Sequence, residues 1–311
     1  MRVAIMGSGS IGGFVGGRLA SSGAEVLFIA RGAHLRAMQS SGLRILSQTG
    51  DVILPRVHAT DDPSGQAPAD FVIFTVKGPD TRGAAELIRP LVGPSTGIVT
   101  FQNGVAGIDV LAGLYSAHAV MPGTTMTTAR IEEPGTIRHV GTGNQFTVGE
   151  WNGEESERVQ AFSDAATQAG LVVNISKNIH VDVWSKLVAF AAFSAITSLT
   201  RLPVRTCATL PETRALVLEA MNEVIAVAKA RGIMVPSDAP SRVLAFAETV
   251  DPNWKTSMCN DLEAGKVIEV DSSSGALHRL GQDLGVATPV HTFAYRALKY
   301  YASPHRAHSN D

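Results

Sequence analysis

Residues 2–12 read Arg2-Val3-Ala4-Ile5-Met6-Gly7-Ser8-Gly9-Ser10-Ile11-Gly12, a short apolar run that leads into a GxGxxG pattern. An apolar helical stretch follows directly, so the glycines lie between a predicted strand and a predicted helix. In this context Gly7 permits a tight turn, Gly9 lets a pyrophosphate approach the backbone, and Gly12 permits close packing of helix on strand. The N–H groups at the helix start attract phosphate. The stretch therefore predicts a dinucleotide site made of Gly7, Ser8, Gly9, Ser10, Ile11 and Gly12, with a ligand-free glycine turn as the alternative.

The first half of the chain alternates between strand-like and helix-like patterns. Strands are predicted over residues 3–6, 25–30, 70–76 and 98–101, and helices over 11–22, 33–40 and 81–92. Such βα alternation predicts an α/β fold, here a Rossmann-type doubly wound parallel sheet over residues 1–177. Two hairpins are also predicted, one from residues 43–47 and 52–57, the other from 136–140 and 145–150 through Gly141-Thr142-Gly143.

From about residue 180 the pattern changes to long helices. Apolar stripes with a 3.6-residue period cover residues 181–200, 213–231, 253–263 and 272–284. The last strand is predicted at 171–175, which places the domain boundary near 174–178. The second domain, residues 178–311, is therefore expected to be all-helical and to end in a polar tail beyond Pro304.

Composition excludes several classes of protein. The 311 residues suit two domains at about 150 residues each. With 45% apolar and 17% charged residues and a net charge of −2, the chain lacks the profile of disorder and the basic surface expected for nucleic-acid or anionic-membrane partners. The most apolar helical stretch, residues 187–199, is shorter than the roughly 20 residues of a membrane span. No secretory leader pattern precedes the first strand, and Cys207 and Cys259 form no CxxC pair. A soluble protein of the cytoplasm is expected.

The end of the second predicted strand bears on the choice of nicotinamide cofactor. NAD-binding folds usually place an acidic residue there to accept from the ribose 2′-hydroxyl, whereas this chain has Arg31. A guanidinium pairs with a 2′-phosphate and cannot accept a hydrogen bond. NADP(H) is therefore favoured, and an ordinary solvated arginine is the alternative. Arg36 could assist, although a surface role is the simpler reading.

Two other patterns carry no predicted chemistry. Residues 93–97 match GxSxG by letter, but they follow a helix and precede a strand, which is the reverse of a nucleophile elbow. The histidines form no HExxH pattern, and His305 and His308 fall in the polar tail. We expect no metal site.

Several further stretches, together with the glycine pattern, carry a family resemblance. They are Thr75-Val76-Lys77, Gln102-Asn103-Gly104-Val105, Gly123-Thr124-Thr125, residues 135–139, Trp184-Ser185-Lys186-Leu187, Ser257-Met258-x-x-Asp261, residues 265–271 and Gly275. In this order and spacing the chain resembles the ketopantoate reductase (2-dehydropantoate 2-reductase) family over about residues 1–300. That family reduces a 2-oxo acid with NADPH and combines a Rossmann-type domain with a helical one.

The resemblance implies roles for individual residues. Lys186 matches the family's general-acid lysine, and Glu269 matches the glutamate that holds the substrate hydroxyl and supports proton transfer. Ser257 matches a substrate-binding serine. Asn103 and Lys77 match residues beside the nicotinamide and the substrate, so Lys77, Asn103 and Glu269 join the expected cofactor contacts. These roles suit the chemistry, because hydride addition to a ketone builds negative charge on oxygen that a proton donor must quench. For each residue a surface or helix-end role is the alternative, and for Asp261 a local polar pair with Ser257.

The sequence departs from the family pattern where the substrate is expected. Four and eight positions after the lysine the family commonly has asparagines, and here those positions are Phe190 and Ser194; Ser274 replaces a third asparagine. On one helix Lys186, Phe190 and Ser194 would share a face, which makes Phe190 and Ser194 candidate substrate contacts. The alternative places Phe190 in the core with Phe193.

These observations lead to one favoured function and two alternatives. The favoured function is the NADPH-dependent reduction of ketopantoate to pantoate, a step of pantothenate biosynthesis. The alternatives are the same chemistry on another 2-oxo acid and a catalytically idle NADPH-binding regulator. The expected partner is a small-molecule substrate, with no nucleic acid and no membrane. The sequence leaves the oligomeric state open, a homodimer included.

Overall fold

The computed structural model describes residues 1–303 and separates into two compact units. The first comprises Met1–Gln102 and Gly107–Ile179, and the second comprises Asn103–Ala106 and the chain from His180 onward. The short segment Asn103–Ala106 thus belongs to the helical unit although its neighbours in sequence do not. The tail expected beyond Pro304, with His305 and His308, lies outside the described residues.

The strands, in chain order, all fall in the first unit. They are β1 (Arg2–Met6), β2 (Glu25–Ile29), β3 (Leu43–Leu46), β4 (Val52–Leu54), β5 (His58–Thr60), β6 (Phe71–Phe74), β7 (Gly97–Thr100), β8 (Val120–Thr125), β9 (Thr128–Glu133), β10 (Thr136–Val140), β11 (Gln145–Val148) and β12 (Val172–Ile175).

The helices of the first unit are α1 (Ser10–Ser21), α2 (Gly32–Ser41), α3 (Thr81–Leu87), α4 (Ala106–Leu114) and α5 (Glu157–Gln168). Those of the second unit are α6 (Ile179–Thr200), α7 (Val204–Thr209), α8 (Pro211–Ala230), α9 (Ala239–Ala247), α10 (Ser257–Glu263), α11 (Ser274–Leu284) and α12 (Pro289–Leu298). Short 3₁₀ helices lie at Gly78–Asp80, Arg89–Leu91 and Lys299–Ala302.

The first unit is built on an eight-stranded sheet in the order β12-β11-β8-β7-β6-β1-β2-β5. Neighbouring strands are parallel except β8 and β11. Helices cover the middle of the sheet, and its strands are apolar there. Val3 and Ile5 of β1, Phe28 of β2 and Phe14 of the covering helix α1 have no exposed surface. This arrangement confirms the predicted α/β class with a largely parallel sheet. It brings the ends of β1, β2 and β6 to one edge, where doubly wound sheets bind ligands.

A second, four-stranded sheet has the order β4-β3-β10-β9. Its β3–β4 hairpin confirms the first predicted hairpin. The second predicted hairpin is wrong, because β10 pairs with β9 and β3 whereas β11 pairs with β8 and β12 in the other sheet. Asn144 explains the separation: its side chain donates to the Gly170 carbonyl and its own carbonyl accepts from Val172, which draws β11 toward β12. The turn that closes a hairpin on β10 is instead at Gly135, with φ +80°.

Three strands and part of one helix depart from the sequence pattern. No pattern predicts β5, β8 or β9, since β5 has three residues, β8 contains Pro122 and Gly123, and β9 is an exposed edge strand. The helix predicted over residues 81–92 ends at Leu87 and resumes as a 3₁₀ turn at Arg89–Leu91. Pro90 lacks the N–H that a continued α-helix needs.

In the second unit, α6 and α8 match predicted helices closely, whereas two other helices start later than expected. The helix predicted over 253–263 begins at Ser257, because the Thr256 hydroxyl accepts from the Cys259 N–H and forms the N-cap. The helix predicted over 272–284 begins at Ser274 and ends at Leu284, where Gly285 forms a left-handed C-cap. Helices α7, α9 and α12 are not predicted, although Pro289 at the start of α12 is a favourable first residue.

Among the helices of residues 1–303, α6 alone has the length and apolar composition to cross a membrane. Its 22 residues match the helix predicted over 181–200 and extend beyond the most apolar stretch, 187–199, because polar residues near its start are also helical. However, 61% of its most apolar window is buried inside the protein, and Trp184 is almost fully buried. A mostly buried helix is typical of the core of a soluble protein.

Candidate active site

The glycine-rich loop between β1 and α1 is shaped by close approaches of the backbone. Gly7 has φ +91°, and a Cβ there would lie 2.8 Å from the Val76 backbone nitrogen. A Cβ on Gly12 would lie 2.3 Å from the Gly7 carbonyl oxygen. Both positions therefore exclude side chains for reasons internal to the fold. Gly9 differs, since a Cβ there would meet only Ile131 Cδ1 at 4.0 Å, so the space above this residue is open.

The start of α1 fits a phosphate group. Gly9 is the N-cap residue, and within the described chain no side chain caps the helix. The N–H groups of the first turn, which include Ser10 and Ile11, have no partner within the helix itself. Open space above Gly9 and an uncapped helix start are the two features that a dinucleotide pyrophosphate requires. The residues of this loop thus fit the nicotinamide cofactor expected from the sequence.

Ser8 holds the loop in place through its side chain. Its hydroxyl is buried and lies 3.1 Å from the Ile29 carbonyl oxygen, to which it donates. The Ser8 carbonyl accepts from His34 Nε2 at 2.9 Å, while the Gly135 N–H donates to His34 Nδ1 at 3.1 Å. Partial burial lowers the pKa of His34, which favours this neutral, doubly bonded form. His34 thereby connects the glycine loop to the β9–β10 turn.

Arg31 lies two residues after the end of β2, at the N-cap of α2, with its side chain largely exposed. Its Nη2 donates to Asp80 Oδ2 at 2.7 Å. Asp80 ends the 3₁₀ turn that follows β6, and Lys77 precedes that turn as an exposed residue. The structure therefore places Arg31 and Lys77 at the carboxyl ends of β2 and β6, on the same sheet as the glycine loop.

In the second unit, Lys186 and Asn103 are brought together. Lys186 Nζ donates to Asn103 Oδ1 at 3.1 Å. Lys186 is in the third turn of α6, two residues after Trp184, whose burial fixes that part of the helix in the core. The side chain keeps some solvent access, yet burial lowers the pKa of Lys186 to about 8. Because water solvates the ammonium poorly here, its proton is more readily transferred than that of a surface lysine.

Glu269 lies in the loop before α11, and its backbone carbonyl is held by two serines. Ser272 Oγ and Ser273 Oγ donate to the Glu269 carbonyl at 3.0 and 3.1 Å. Ser272 also lies against the Asn103 segment, since a Cβ on Gly104 would be 2.9 Å from the Ser272 carbonyl oxygen. The loop that carries Glu269 and the segment that carries Asn103 are therefore packed together.

The expected substrate residues differ in accessibility. Ser257 is exposed at the first position of α10, one turn before Asp261. Phe190 is half-buried, and it follows Lys186 by one turn on the continuous helix α6. Ser194 is fully buried, and its hydroxyl has no hydrogen-bond partner among the described residues.

Asp80, His34, Ser272 and Ser273 were not among the residues expected at the site. Asp80 could have been predicted from the sequence, because an acidic residue shortly after β6 falls at the same sheet edge as Arg31. The other three act through hydrogen bonds to backbone groups, which residue type and spacing do not indicate.

Comparison with known proteins gives a consistent result over the whole chain. Residues 3–153 match the model of the ketopantoate reductase PanE/ApbA family, and residues 178–302 match the model of that family's C-terminal region. The chain is 31% identical over 310 residues to a 2-dehydropantoate 2-reductase of Mesorhizobium japonicum, covering 93% of this chain and 94% of the relative. It is 32% identical over 292 residues to the 2-dehydropantoate 2-reductase of Halobacterium salinarum, covering 93% and 95%.

A solved structure agrees with both matches. The PanE/ApbA family ketopantoate reductase of Ralstonia eutropha superposes with a TM-score of 0.88 at 32% identity, covering 97% of this chain and 98% of that one. The resemblance and the NADPH cofactor expected from the sequence are thereby confirmed. With both family models matched in register and relatives above 30% identity over nearly its full length, the chain belongs to the ketopantoate reductase family of NADP-dependent oxidoreductases that act on a CH–OH/C=O pair.

Proposed function

We propose that this protein reduces ketopantoate to pantoate with NADPH. The observation that carries the proposal is the Lys186 ammonium, which burial brings to a pKa of about 8 and which donates to Asn103 Oδ1 at 3.1 Å. A general acid works best when its pKa lies near the operating pH. Lys186 is such a group, and the 2-dehydropantoate 2-reductase activity of the relatives supplies the candidate substrate.

Lys186 and Asn103 have separate roles in the proposed reaction. Bound NADPH supplies a hydride to the carbonyl carbon of the 2-oxo acid. Lys186 Nζ gives one proton to the carbonyl oxygen, so that hydride and proton together convert C=O into CH–OH. Asn103 Oδ1 orients the lysine by accepting its hydrogen bond. Because the amide oxygen faces Lys186, the amide nitrogen of Asn103 is left to donate to other acceptors. The preorganised ammonium stabilises the charge that develops on the substrate oxygen.

Glu269 and Ser257 complete the proposed substrate site. Glu269 accepts a hydrogen bond from the substrate hydroxyl and supports the proton transfer, and Ser257 donates to the substrate. The hydrogen bonds of Ser272 and Ser273 to the Glu269 carbonyl keep the glutamate's backbone in one position. Support by neighbouring hydrogen bonds is what holds a reacting group in productive geometry.

The cofactor is held by groups of the first unit. Backbone N–H groups from Gly9 to Gly12 bind the pyrophosphate, and Arg31 pairs with the 2′-phosphate. Lys77 adds a positive charge at the same sheet edge. Two buried free thiols, Cys207 and Cys259, suit the reducing cytoplasm, which is the compartment we propose.

A second candidate function keeps the chemistry and changes the acid. Phe190 occupies a position on α6 where an amide is expected, and a phenyl ring cannot bond a substrate hydroxyl. Sites that do bond such a hydroxyl discriminate by about 10⁴-fold against analogues that lack it. We therefore expect ketopantoate to be reduced no better than about tenfold over a 2-oxo acid without the 4-hydroxyl.

The test measures kcat/KM for both acids on the wild type and on Phe190→Asn, following NADPH oxidation. The proposed site predicts turnover of both acids by the wild type and a gain in ketopantoate preference in the variant. A strong wild-type preference that the asparagine leaves unchanged would assign Phe190 to the core. NADPH binding without turnover of any 2-oxo acid would favour an idle binding protein and contradict the proposal.

A further inference from the structure

The ion pair between Arg31 and Asp80 has an unusual position for two exposed residues. Arg31 Nη2 lies 2.7 Å from Asp80 Oδ2, with the two side chains 76% and 45% exposed. Each residue is the N-cap of a helix, Arg31 of α2 and Asp80 of α3, yet neither side chain caps its helix. The Asp80 carboxylate accepts from the guanidinium and not from the N–H groups at the start of α3, which are the usual donors to an N-cap aspartate.

Neither side chain caps its helix, and water reaches both of them. An exposed ion pair is screened by water and contributes little to folding stability. Aspartate at an N-cap normally stabilises a helix through its side chain, and that contribution is absent for α3. The placement of Asp80 is therefore better explained by its effect on Arg31 than by packing or capping.

We propose that Asp80 sets the discrimination between NADPH and NADH by occupying Arg31. This inference rests on the proposed role of Arg31 at the 2′-phosphate. A guanidinium binds a phosphate dianion through its planar fork, and Asp80 Oδ2 accepts from one of the nitrogens of that fork, Arg31 Nη2. The phosphate of NADPH must displace or share this partner and must approach a carboxylate of like charge. NADH carries no such phosphate.

Asp80 also supplies a hydrogen-bond acceptor, which the Arg31 guanidinium cannot provide. A carboxylate at this edge of the sheet accepts from a ribose 2′-hydroxyl, as the acidic residue of NAD-binding folds does. The pair thus weakens NADPH binding and leaves NADH binding intact. The protein accordingly discriminates between the two cofactors less than Arg31 alone would provide.

The experiment compares Asp80→Asn, Arg31→Met, the double variant and a control, Asp164→Asn. Asp164 is an exposed acid on α5, so its replacement changes the net charge equally without touching Arg31. Binding is measured by calorimetry with 2′,5′-ADP and 5′-ADP, which cannot react, and by fluorescence with NADPH and NADH. We expect Asp80→Asn to tighten NADPH and 2′,5′-ADP binding by about two- to fivefold, the scale of one exposed charge pair. NADH and 5′-ADP affinity should stay constant or fall.

The proposal also predicts how the gain in NADPH affinity depends on Arg31 and on salt. The gain should vanish in the Arg31→Met background, since it acts through the guanidinium, and it should shrink at high salt because exposed charges are screened. The control should bind all four ligands as the wild type does.

The opposing results distinguish failure of the role proposed for Asp80 from failure of the role proposed for Arg31. Weaker NADPH binding by Asp80→Asn would show that Asp80 orients Arg31 favourably, and an equal change for NADPH and NADH would show no role in discrimination; either overturns this inference. If Arg31→Met weakens NADPH and NADH equally, the proposed role of Arg31 fails as well. A selective loss in Arg31→Met with no effect of Asp80→Asn overturns the inference alone.

Discussion

At the scale of single residues, the position of Asn103 depends on its neighbour Gly104. Gly104 has φ +83°, and a Cβ at this residue would lie 2.9 Å from the Ser272 carbonyl oxygen. An alanine here is strained by its backbone conformation and must also push the segment away from the Glu269 loop. Because Asn103 is adjacent, the shift acts on the hydrogen bond from Lys186.

We expect Gly104→Ala to lower kcat by about tenfold or more, the scale of a misplaced catalytic contact. The matched control is Gly232→Ala, which has φ +78° but nothing within 4 Å of the added methyl group. Both variants should lose roughly 1 kcal/mol of stability from the backbone strain. Steady-state kinetics beside urea unfolding distinguishes the effects. Equal kcat values in the two variants would mean that the Ser272 contact does not position Asn103.

At the scale of elements, the start of α12 is fixed by buried polar groups of α8 and α11. The Glu223 carboxylate accepts from the Val290 and His291 N–H groups at 2.7 and 3.0 Å. The His291 ring lies between the Ala220 carbonyl, to which Nε2 donates, and the Ser274 hydroxyl, which donates to Nδ1. Burial lowers the pKa of His291 to about 4 and raises that of Glu223.

This geometry predicts a loss of stability in acid. His291 has a folded-state pKa below its unfolded value of about 6.5, so the unfolded chain binds the proton more tightly. The stabilisation is complete above pH 6.5 and is lost as the pH falls toward 4. His291 should contribute a decrease of about 2 kcal/mol in the free energy of unfolding between pH 7 and pH 5. Urea titrations at both pH values measure this decrease.

The slope with pH should flatten in His291→Gln and persist in His118→Gln, which replaces an exposed histidine of the first unit. The test compares the pH dependence of the free energy of unfolding, so a loss of stability that the glutamine causes equally at both pH values does not affect it. An unchanged slope in His291→Gln would show that other groups dominate the acid response.

The elements also show where sequence patterns stop being informative. The run from β1 into α1 was predictable because four consecutive apolar residues and three glycines each have one physical purpose there. The β10–β11 hairpin was not, since Gly141-Thr142-Gly143 shows that the chain turns but not which sheet receives the next strand. That choice depends on Asn144 and Gly170, whose contact is distant in sequence. Likewise, proline at the start of α12 marks a break in one helix and the beginning of another.

At the scale of the whole molecule, the glycine loop and Arg31 belong to the first unit, and Lys186 belongs to the second. The sequence predicted a Rossmann-type unit and a helical unit, together with the glycine loop and Arg31, from local patterns. The catalytic role proposed for Lys186 required the family resemblance, because a lysine after a tryptophan has no distinctive local pattern. No local signal placed Asn103–Ala106 with the helical unit, since its neighbours follow a sheet strand. Long-range packing decides that placement.

The proposed reaction depends most on Lys186 as the proton donor. The most direct measurement is kcat of Lys186→Ala with NADPH and ketopantoate, beside Lys229→Ala, which removes an exposed lysine from the end of α8. A general acid typically contributes about 10²–10⁴ in rate. We therefore expect kcat of Lys186→Ala to fall by that factor, with NADPH affinity and melting temperature close to wild type, and Lys229→Ala to be unaffected. A fall of less than about tenfold would contradict the account, because general acid catalysis by Lys186 could not then supply the expected rate.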